Sequence, residues 1–372
     1  MRLLACPLDG YAYIWESTCT VKVVKKIEIT SIKVSPTSYT LFEGKTVRLS
    51  YWVKPSDATN PSLKWSSSDP SIATVDSNGL IKGVKGGTDD KPCTVTITAT
   101  AQDGSGKKAT CKVTVRKRIW FATEETGIKD INPGQGITVQ GIIKSFYKLK
   151  SVTVGFISID LETKEETNYL SKEYTVNSNS FNLKKINKDI SFSKLPCGKY
   201  RFYVKAVDIY GYEETLQDDP FLVKGVTVIA RQGTITVYIN GETQSGWTFT
   251  GSINPTKSKN TDGCGTATIA AGTYKMKLSS KTYKTHGAFF YTVTTLSGSS
   301  LIPLEYERKP FCNEHKKTTA TGILVHQGPL NAENTGWSTG CIMVRGESRK
   351  GKKEMTSFVK LVGGSATLIV KR

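Results

Sequence analysis

From Thr94 to Ala99 the side chains alternate strictly, with Val95, Ile97 and Ala99 on one side of an extended chain and Thr94, Thr96 and Thr98 on the other. A period of two fits a half-buried strand and excludes a helix. Beyond a turn signal at Asp103-Gly104-Ser105-Gly106, Cys111, Val113 and Val115 repeat the same phase. The grammar recurs in Ile137-Thr138-Val139, in Val152-Thr153-Val154-Gly155-Phe156, from Tyr200 to Ala206 and from Thr234 to Gly241. Further turn signals fall at Asp76-Ser77-Asn78-Gly79 and Lys85-Gly86-Gly87. Short strands punctuated this regularly build sandwiches and barrels. Thr, Ser, Val, Lys and Gly dominate, which favours a pleated surface and turns over helices. The expected fold class is mainly β: two β-sandwiches followed by a β-rich domain with little helix. One short helix is expected over Lys353–Leu361, where Met355, Phe358 and Leu361 recur at helical spacing before Gly363-Gly364, and Ala366–Val370 reads as a final strand.

At 372 residues the chain is long for one domain. The expected boundaries are 1–25, 26–116, 117–224 and 225–372. Formal charge is +19, from 51 basic and 32 acidic side chains, so polyanions are attracted. The basic residues are spread along every segment, without aromatic interleaving or zinc-finger spacing, and specific nucleic-acid recognition is not expected. Solvated strand faces account for most of the excess, and anionic cell-wall polymer is the next candidate. No apolar run is long enough to span a bilayer. The eight cysteines lack the dense spacing of a disulfide-stapled module. Folding the chain at the 103–106 turn puts Cys111 opposite residues near Thr100, leaving Cys93 out of bonding reach, and the phase of Cys111 makes it a small buried hydrophobe.

The stretch Trp65-Ser66-Ser67-Ser68-Asp69-Pro70-Ser71-Ile72-Ala73-Thr74-Val75-Asp76, running into Asn78-Gly79-Leu80-Ile81, resembles the bacterial Ig-like group 2 family, as does the opening Ile32-Lys33-Val34-Ser35-Pro36. The resemblance implies a spacer or adhesive module of surface proteins. Residues 117–224 read as a second Ig-like or fibronectin-like sandwich, in which Tyr203 and Tyr210 either touch a glycan or pack in the core and rim. Cys19-Thr20-Val21-Lys22-Val23 parallels Cys111-Lys112-Val113-Thr114-Val115, so residues 1–25 are expected to be the end of a preceding repeat, with Met1 not the natural start. No signal peptide is visible.

The chemistry-bearing stretch is Gly322-Ile323-Leu324-Val325-His326-Gln327-Gly328, followed by Gly336-Trp337-Ser338-Thr339-Gly340-Cys341-Ile342-Met343-Val344. An apolar strand delivers a histidine, and a Ser-x-Gly-Cys turn leads into another apolar strand. A cysteine near neutral pH needs a base or imidazolium beside it to act as thiolate, and a preceding glycine lets backbone amides turn towards a developing oxyanion. These residues resemble the catalytic motif of the L,D-transpeptidases (YkuD-like family). The likeness extends to Ile235–Gly241, Gly251, Ala270-Ala271-Gly272-Thr273-Tyr274 and Gly287-Ala288-Phe289-Phe290-Tyr291. It implies an L,D-transpeptidase-like domain in which Cys341 is the nucleophile, His326 its base, Ser338 the motif hydroxyl and Gly340 the residue before the nucleophile. Gly328, near the carbonyl that orients the histidine, Thr339 and Arg345 are the implied substrate-side residues. Thr339 and Met343 stand where the family usually has His or Arg, and Arg345 is the substitute cation for a substrate carboxylate. Ser338 serves equally as a turn cap, and Arg345 also reads as a solvated charge.

Cys312-Asn313-Glu314-His315 has zinc-ligand spacing, with Cys264 or Cys341 as further ligands, but one tight pair is a weak signal. No metal and no cofactor is expected. The expected function is cysteine acyl transfer in an exported bacterial or phage-encoded envelope protein, cleaving an L,D-amide of a peptidoglycan stem peptide and passing the acyl group to an amine or to water. The alternative is a non-catalytic wall-binding or adhesive surface protein with a degenerate transpeptidase fold.

Overall fold

The alternating segments fold as strands, and the protein is mainly β. A computed structural model describes residues 25–88, 91–123, 125–253, 267–280, 290–306, 319–320, 323–329, 342–346 and 352–372. The chain forms two compact units, Met1–Arg118 and Ile119–Arg372.

The first unit carries β1 (Ser31–Ser35), β2 (Ser38–Phe42), β3 (Thr46–Arg48), β4 (Ser50–Lys54), β5 (Leu63–Ser67), β6 (Ala73–Val75), β7 (Leu80–Gly83), β8 (Cys93–Ala101) and β9 (Lys108–Arg116). One sheet runs β2-β9-β8-β5, a second β3-β7-β6, and β1 pairs with β4. Their inner faces share a core that includes Leu41, Trp65, Ile81, Ile97, Cys111 and Val113. Val95, Ile97 and Ala99 are buried while Thr94 and Thr96 are exposed, as the alternation requires. The β8–β9 hairpin closes where the Ala101 amide donates to the Lys107 carbonyl at 2.9 Å, which centres it on Gly104. Equal counts from that centre set Cys111 against Ile97 rather than near Thr100, a correction of three positions to the register read from the turn. Cys93 pairs instead with Val115, and both cysteines are free thiols. Gly79 is fixed by packing: its φ is +74°, and a Cβ there would sit 2.9 Å from Trp65 Cζ2.

In the second unit, β10 (Ile119–Phe121), β11 (Ile142–Ile159), β12 (Glu166–Asn182), β13 (Gly198–Asp208) and β14 (Glu213–Val223) form one sheet. The central β11 has β12 along one edge, with β10 and β13 in succession along the other. Tyr200, Phe202, Val204 and Ala206 share the buried face, around Phe156, Phe192 and Phe221. The facing layer consists of two 3-10 helices, Leu183–Lys188 and Phe192–Lys194, and the extended stretch 125–141. The expected strand at Ile137-Thr138-Val139 is therefore corrected. Val139 is buried, but its amide donates to Asn187 Oδ1 and its carbonyl accepts from Asn187 Nδ2, each at 2.8 Å. A side-chain amide replaces the neighbouring strand and satisfies both backbone groups. Tyr203 is buried, and Tyr210 is exposed with its ring edge-on to Tyr147 at 4.7 Å.

The remainder holds β15 (Val226–Ala230), β16 (Gly233–Ile239), β17 (Thr248–Ser252), β18 (Ala267–Ile269), β19 (Gly272–Leu278), β20 (Phe290–Thr295), β21 (Ile302–Tyr306), β22 (Thr319–Ala320), β23 (Leu324–Pro329), β24 (Ile342–Gly346), α1 (Lys352–Val362) and β25 (Ser365–Val370). A closed barrel runs β15-β16-β17-β24-β23-β20-β19-β25, with β18-β21-β22 as a separate sheet. After β16 the chain turns at Asn240 and Gly241, with φ of 51° and 76°, and Ile239 and Glu242 exchange backbone hydrogen bonds. This is the two-residue turn that an Asn-Gly pair specifies, because both residues tolerate positive φ. Helix α1 buries Met355, Phe358 and Val362 in the barrel core, where Phe358 meets Phe249 and Tyr291 edge-on at 5.4 and 5.8 Å. It ends at Gly363, whose φ is 73° and whose amide donates to the Val359 carbonyl at 2.9 Å.

Candidate functional site

The two apolar strands of the His-and-Cys stretch become neighbours in the barrel wall. β23 and β24 pair in parallel, with Val325 against Ile342, His326 against Met343 and Gly328 against Arg345. Val325, Ile342 and Val344 are fully buried, so this pair is anchored by its apolar positions in the core. On its other edge β23 pairs with β20, placing His326 opposite Phe290. The strand containing the candidate base thus lies directly beside the strand that opens one residue after Cys341. Residues 330–341 link them, a length suited to the crossover that parallel neighbours require. Cys341, Gly340, Thr339 and Ser338 lie outside the described residues, as do Cys264, Cys312 and His315 of the zinc alternative. Gly328 and Arg345 are placed as register partners in the backbone.

Among the described cysteines, burial pushes the Cys111 and Cys197 thiols up from their ordinary range, so alkaline solution is needed to form their thiolates. Cys197 is held at the barrel, where its amide donates to Thr367 Oγ1 at 2.9 Å and its carbonyl accepts from Thr227 Oγ1 at 3.0 Å. No group of three or more His, Cys, Asp or Glu side chains suited to a metal occurs among the described residues.

A second constellation was not legible in the sequence. The turn after β11 inserts Leu161 into a cluster with Ile229, Tyr238 and the half-buried Ile369, joining the β10–β14 sheet to the barrel. Beside this apolar contact, Lys371 Nζ lies 2.5 Å from Asp160 Oδ2 and 2.8 Å from Glu162 Oε2, and an Arg231 Nη2 lies 2.7 Å from the same Glu162 oxygen. Burial alone raises the two carboxyl pKa values. Hydrogen bonds outweigh it, from Lys371 and local amides to Asp160 and from Arg231 and Lys371 to Glu162, and both fall below the usual carboxylate range. Asp160-Leu161-Glu162-Thr163 reads as an ordinary polar turn, and its partners lie far along the chain, so no local pattern announces the junction. Among the described residues no helix is long and apolar enough to cross a membrane.

Comparison with known proteins places similarity over parts of the chain. It is 33% identical over 145 residues to an uncharacterized protein of Clostridium acetobutylicum, covering 37% of this chain and 34% of that protein. It is 36% identical over 112 residues to an Ig-like virion protein of Serratia phage KSP90, covering 30% of this chain and 40% of that one. The matches therefore span well under two thirds of either relative's length. A solved structure of fibronectin(III)-like modules of CbhA from Clostridium thermocellum aligns with 52% of this chain and 93% of its own, at 13% identity and a TM-score of 0.17. One segment has an identified family: residues 28–113 match the bacterial Ig-like domain (group 2).

Proposed function

We propose that this chain is a modular protein of the cell envelope or virion surface that binds the cell wall without turnover, its Ig-like modules carrying the barrel as an adhesive head. The observation that carries this reading is the match of residues 28–113 to the bacterial Ig-like domain (group 2), in line with a surface spacer. The likeness to an Ig-like virion protein supports a surface setting on a cell or a particle. A formal charge of +19 favours approach to anionic wall polymers. The test is incubation with purified sacculi, followed by pelleting and muropeptide profiling. Capture with an unchanged profile is the expected result; failure to pellet refutes the reading.

A second reading keeps the fold and adds chemistry, and the parallel pairing of β23 with β24 favours it. Cys341 attacks the carbonyl of the L,D-amide of a stem peptide as His326 accepts its proton; the C–N bond breaks, His326 returns the proton to the departing amine, and the thioester's acyl group passes to an incoming amine or to water, which frees the thiol. Ser338, Gly340, Gly328, Thr339 and Arg345 surround the reacting groups in this reading. Mass spectrometry after exposure to muropeptides or a carbapenem-type acylating agent tests it. An adduct on Cys341, lost in Cys341→Ala together with any release of D-Ala, is expected if the chemistry operates. An unmodified Cys341 in the wild-type chain refutes it.

A further inference from the structure

Where the β10–β14 sheet meets the barrel, the surface folds into a cavity of about 210 Å³. One wall comes from β12 and the end of β11, through Ser158, Thr167 and Tyr169, and the barrel contributes Thr273 and Thr367. Tyr169 is 39% exposed, and its ring stands edge-on to Tyr200 at 5.7 Å. Tyr200 is itself fixed, because it is buried and its hydroxyl donates to the Pro196 carbonyl at 3.1 Å. The Tyr169 ring is thus held against a fixed neighbour while part of it remains exposed. Beside it, Ser158 Oγ and Thr167 Oγ1 lie 2.8 Å apart, a pair of hydroxyls that both donates and accepts.

The charges in the lining are largely spoken for. Asp160 pairs with Lys371, and Lys199 pairs with Glu242 at 2.5 Å. Among the described residues Glu165 has no ion-pair partner in the structure, and it leaves one carboxylate on the cavity wall as an acceptor. An ion gains little here, and an apolar ligand would strand the hydroxyls and the carboxylate. A braced aromatic face beside clustered hydroxyls and a carboxylate matches a sugar ring, which offers C–H groups on its faces and hydroxyls at its edge. The volume is below that of pockets for drug-sized molecules and suits a single ring.

We propose that this cavity binds one sugar ring of a neutral wall glycan, stacked on Tyr169, with its hydroxyls bonded to Ser158, Thr167 and Glu165. The proposal rests on the wall-binding reading and gives that reading a ligand class. The probe is N-acetylchitotriose, titrated into the full chain by calorimetry. In parallel, Cys197, which lines the same cavity, is alkylated in alkaline solution with and without the sugar and followed by peptide mass spectrometry.

Saturable binding is expected, with protection of Cys197 and a loss of roughly tenfold or more in Tyr169→Ala. Tyr169 lies on the exposed strand β12, and an unchanged melting profile shows that the variant folds. Thr273→Val, on the barrel side, is a second variant expected to weaken binding. Binding that neither variant weakens, with Cys197 left unprotected, overturns the proposal. Absence of binding by a chain that still pellets with sacculi overturns the cavity while leaving wall attachment standing. Trisaccharide binding by a chain that fails to pellet supports the cavity and refutes the wall-binding reading.

Discussion

Lys371→Met is the perturbation that most directly probes how the β10–β14 sheet is held to the barrel. The side chain of Lys371 is only 17% exposed, and it faces two carboxylates that are 28% and 24% exposed. Methionine keeps the aliphatic stem but leaves Asp160 without its cation and Glu162 with Arg231 alone. Breaking a fully buried pair costs about 3–5 kcal/mol, while exposed pairs contribute about 0–1 kcal/mol. This partly buried triad should fall between, at about 1–3 kcal/mol at neutral pH. For a unit of this size that corresponds to a drop of roughly 3–10 °C in Tm. The sign of the pH dependence is fixed by the depressed carboxyl pKa values. Their contribution is present above the unfolded carboxylate range and is lost as pH falls through the lower folded values. In the variant, burial on Asp160 is opposed only by the Glu162 and Thr163 amides, and its carboxyl rises from its wild-type position. The gap between wild type and variant should therefore narrow as the solution is acidified below about pH 4. Differential scanning calorimetry of both proteins across that range, with Lys371→Arg as a control that keeps most of the stability, measures it. A gap that stays constant from neutral to acid pH would refute the electrostatic origin of the junction.

Other substitutions give equally definite outcomes. Gly79→Ala forces a Cβ against the Trp65 ring at positive φ and should destabilise the first unit by about 1–3 kcal/mol in urea titrations followed by tryptophan fluorescence. Phe358→Ala empties a fully buried site between Phe249 and Tyr291 and should cost about 3–5 kcal/mol, read as faster amide exchange in β23 and β24. Asp103 accepts from the Ile29 amide and from Ser105, which holds its carboxyl down at about 2. Its contribution to the first unit should thus be intact above about pH 4 and disappear as pH falls towards 2. Asp103→Ala should remove that acid-sensitive step from the first unit's titration while leaving the second unit's unchanged.

Much of the fold was legible because its determinants are local. The alternation around Val95, Ile97 and Ala99 fixed which face is buried, the Asn240-Gly241 pair specified its own turn, and Met355 and Phe358 marked the inward face of α1. Ile137-Thr138-Val139 has the residues of a strand but draws its hydrogen bonds from the side chain of Asn187, a partner no periodicity reveals. The Cys111 register depended on where the hairpin closes, and a turn motif leaves that closure free by a few residues. The candidate site was legible as a pair of apolar strands, which the barrel brings side by side through β23 and β24. The junction of Asp160, Glu162, Arg231 and Lys371 was not, because its members are separated by long stretches of chain and no local pattern pairs them.

The central claim is that the modules hold the wall through shaped contacts, beyond the pull of a +19 chain on polyanions. Long-range attraction between exposed charges fades as the screening length shrinks from about 8 Å at physiological ionic strength to about 3 Å near 1 M salt. A sedimentation isotherm on purified wall at both salt levels separates the two contributions. Retained, saturable attachment at high salt is predicted; release of all bound protein would contradict the claim.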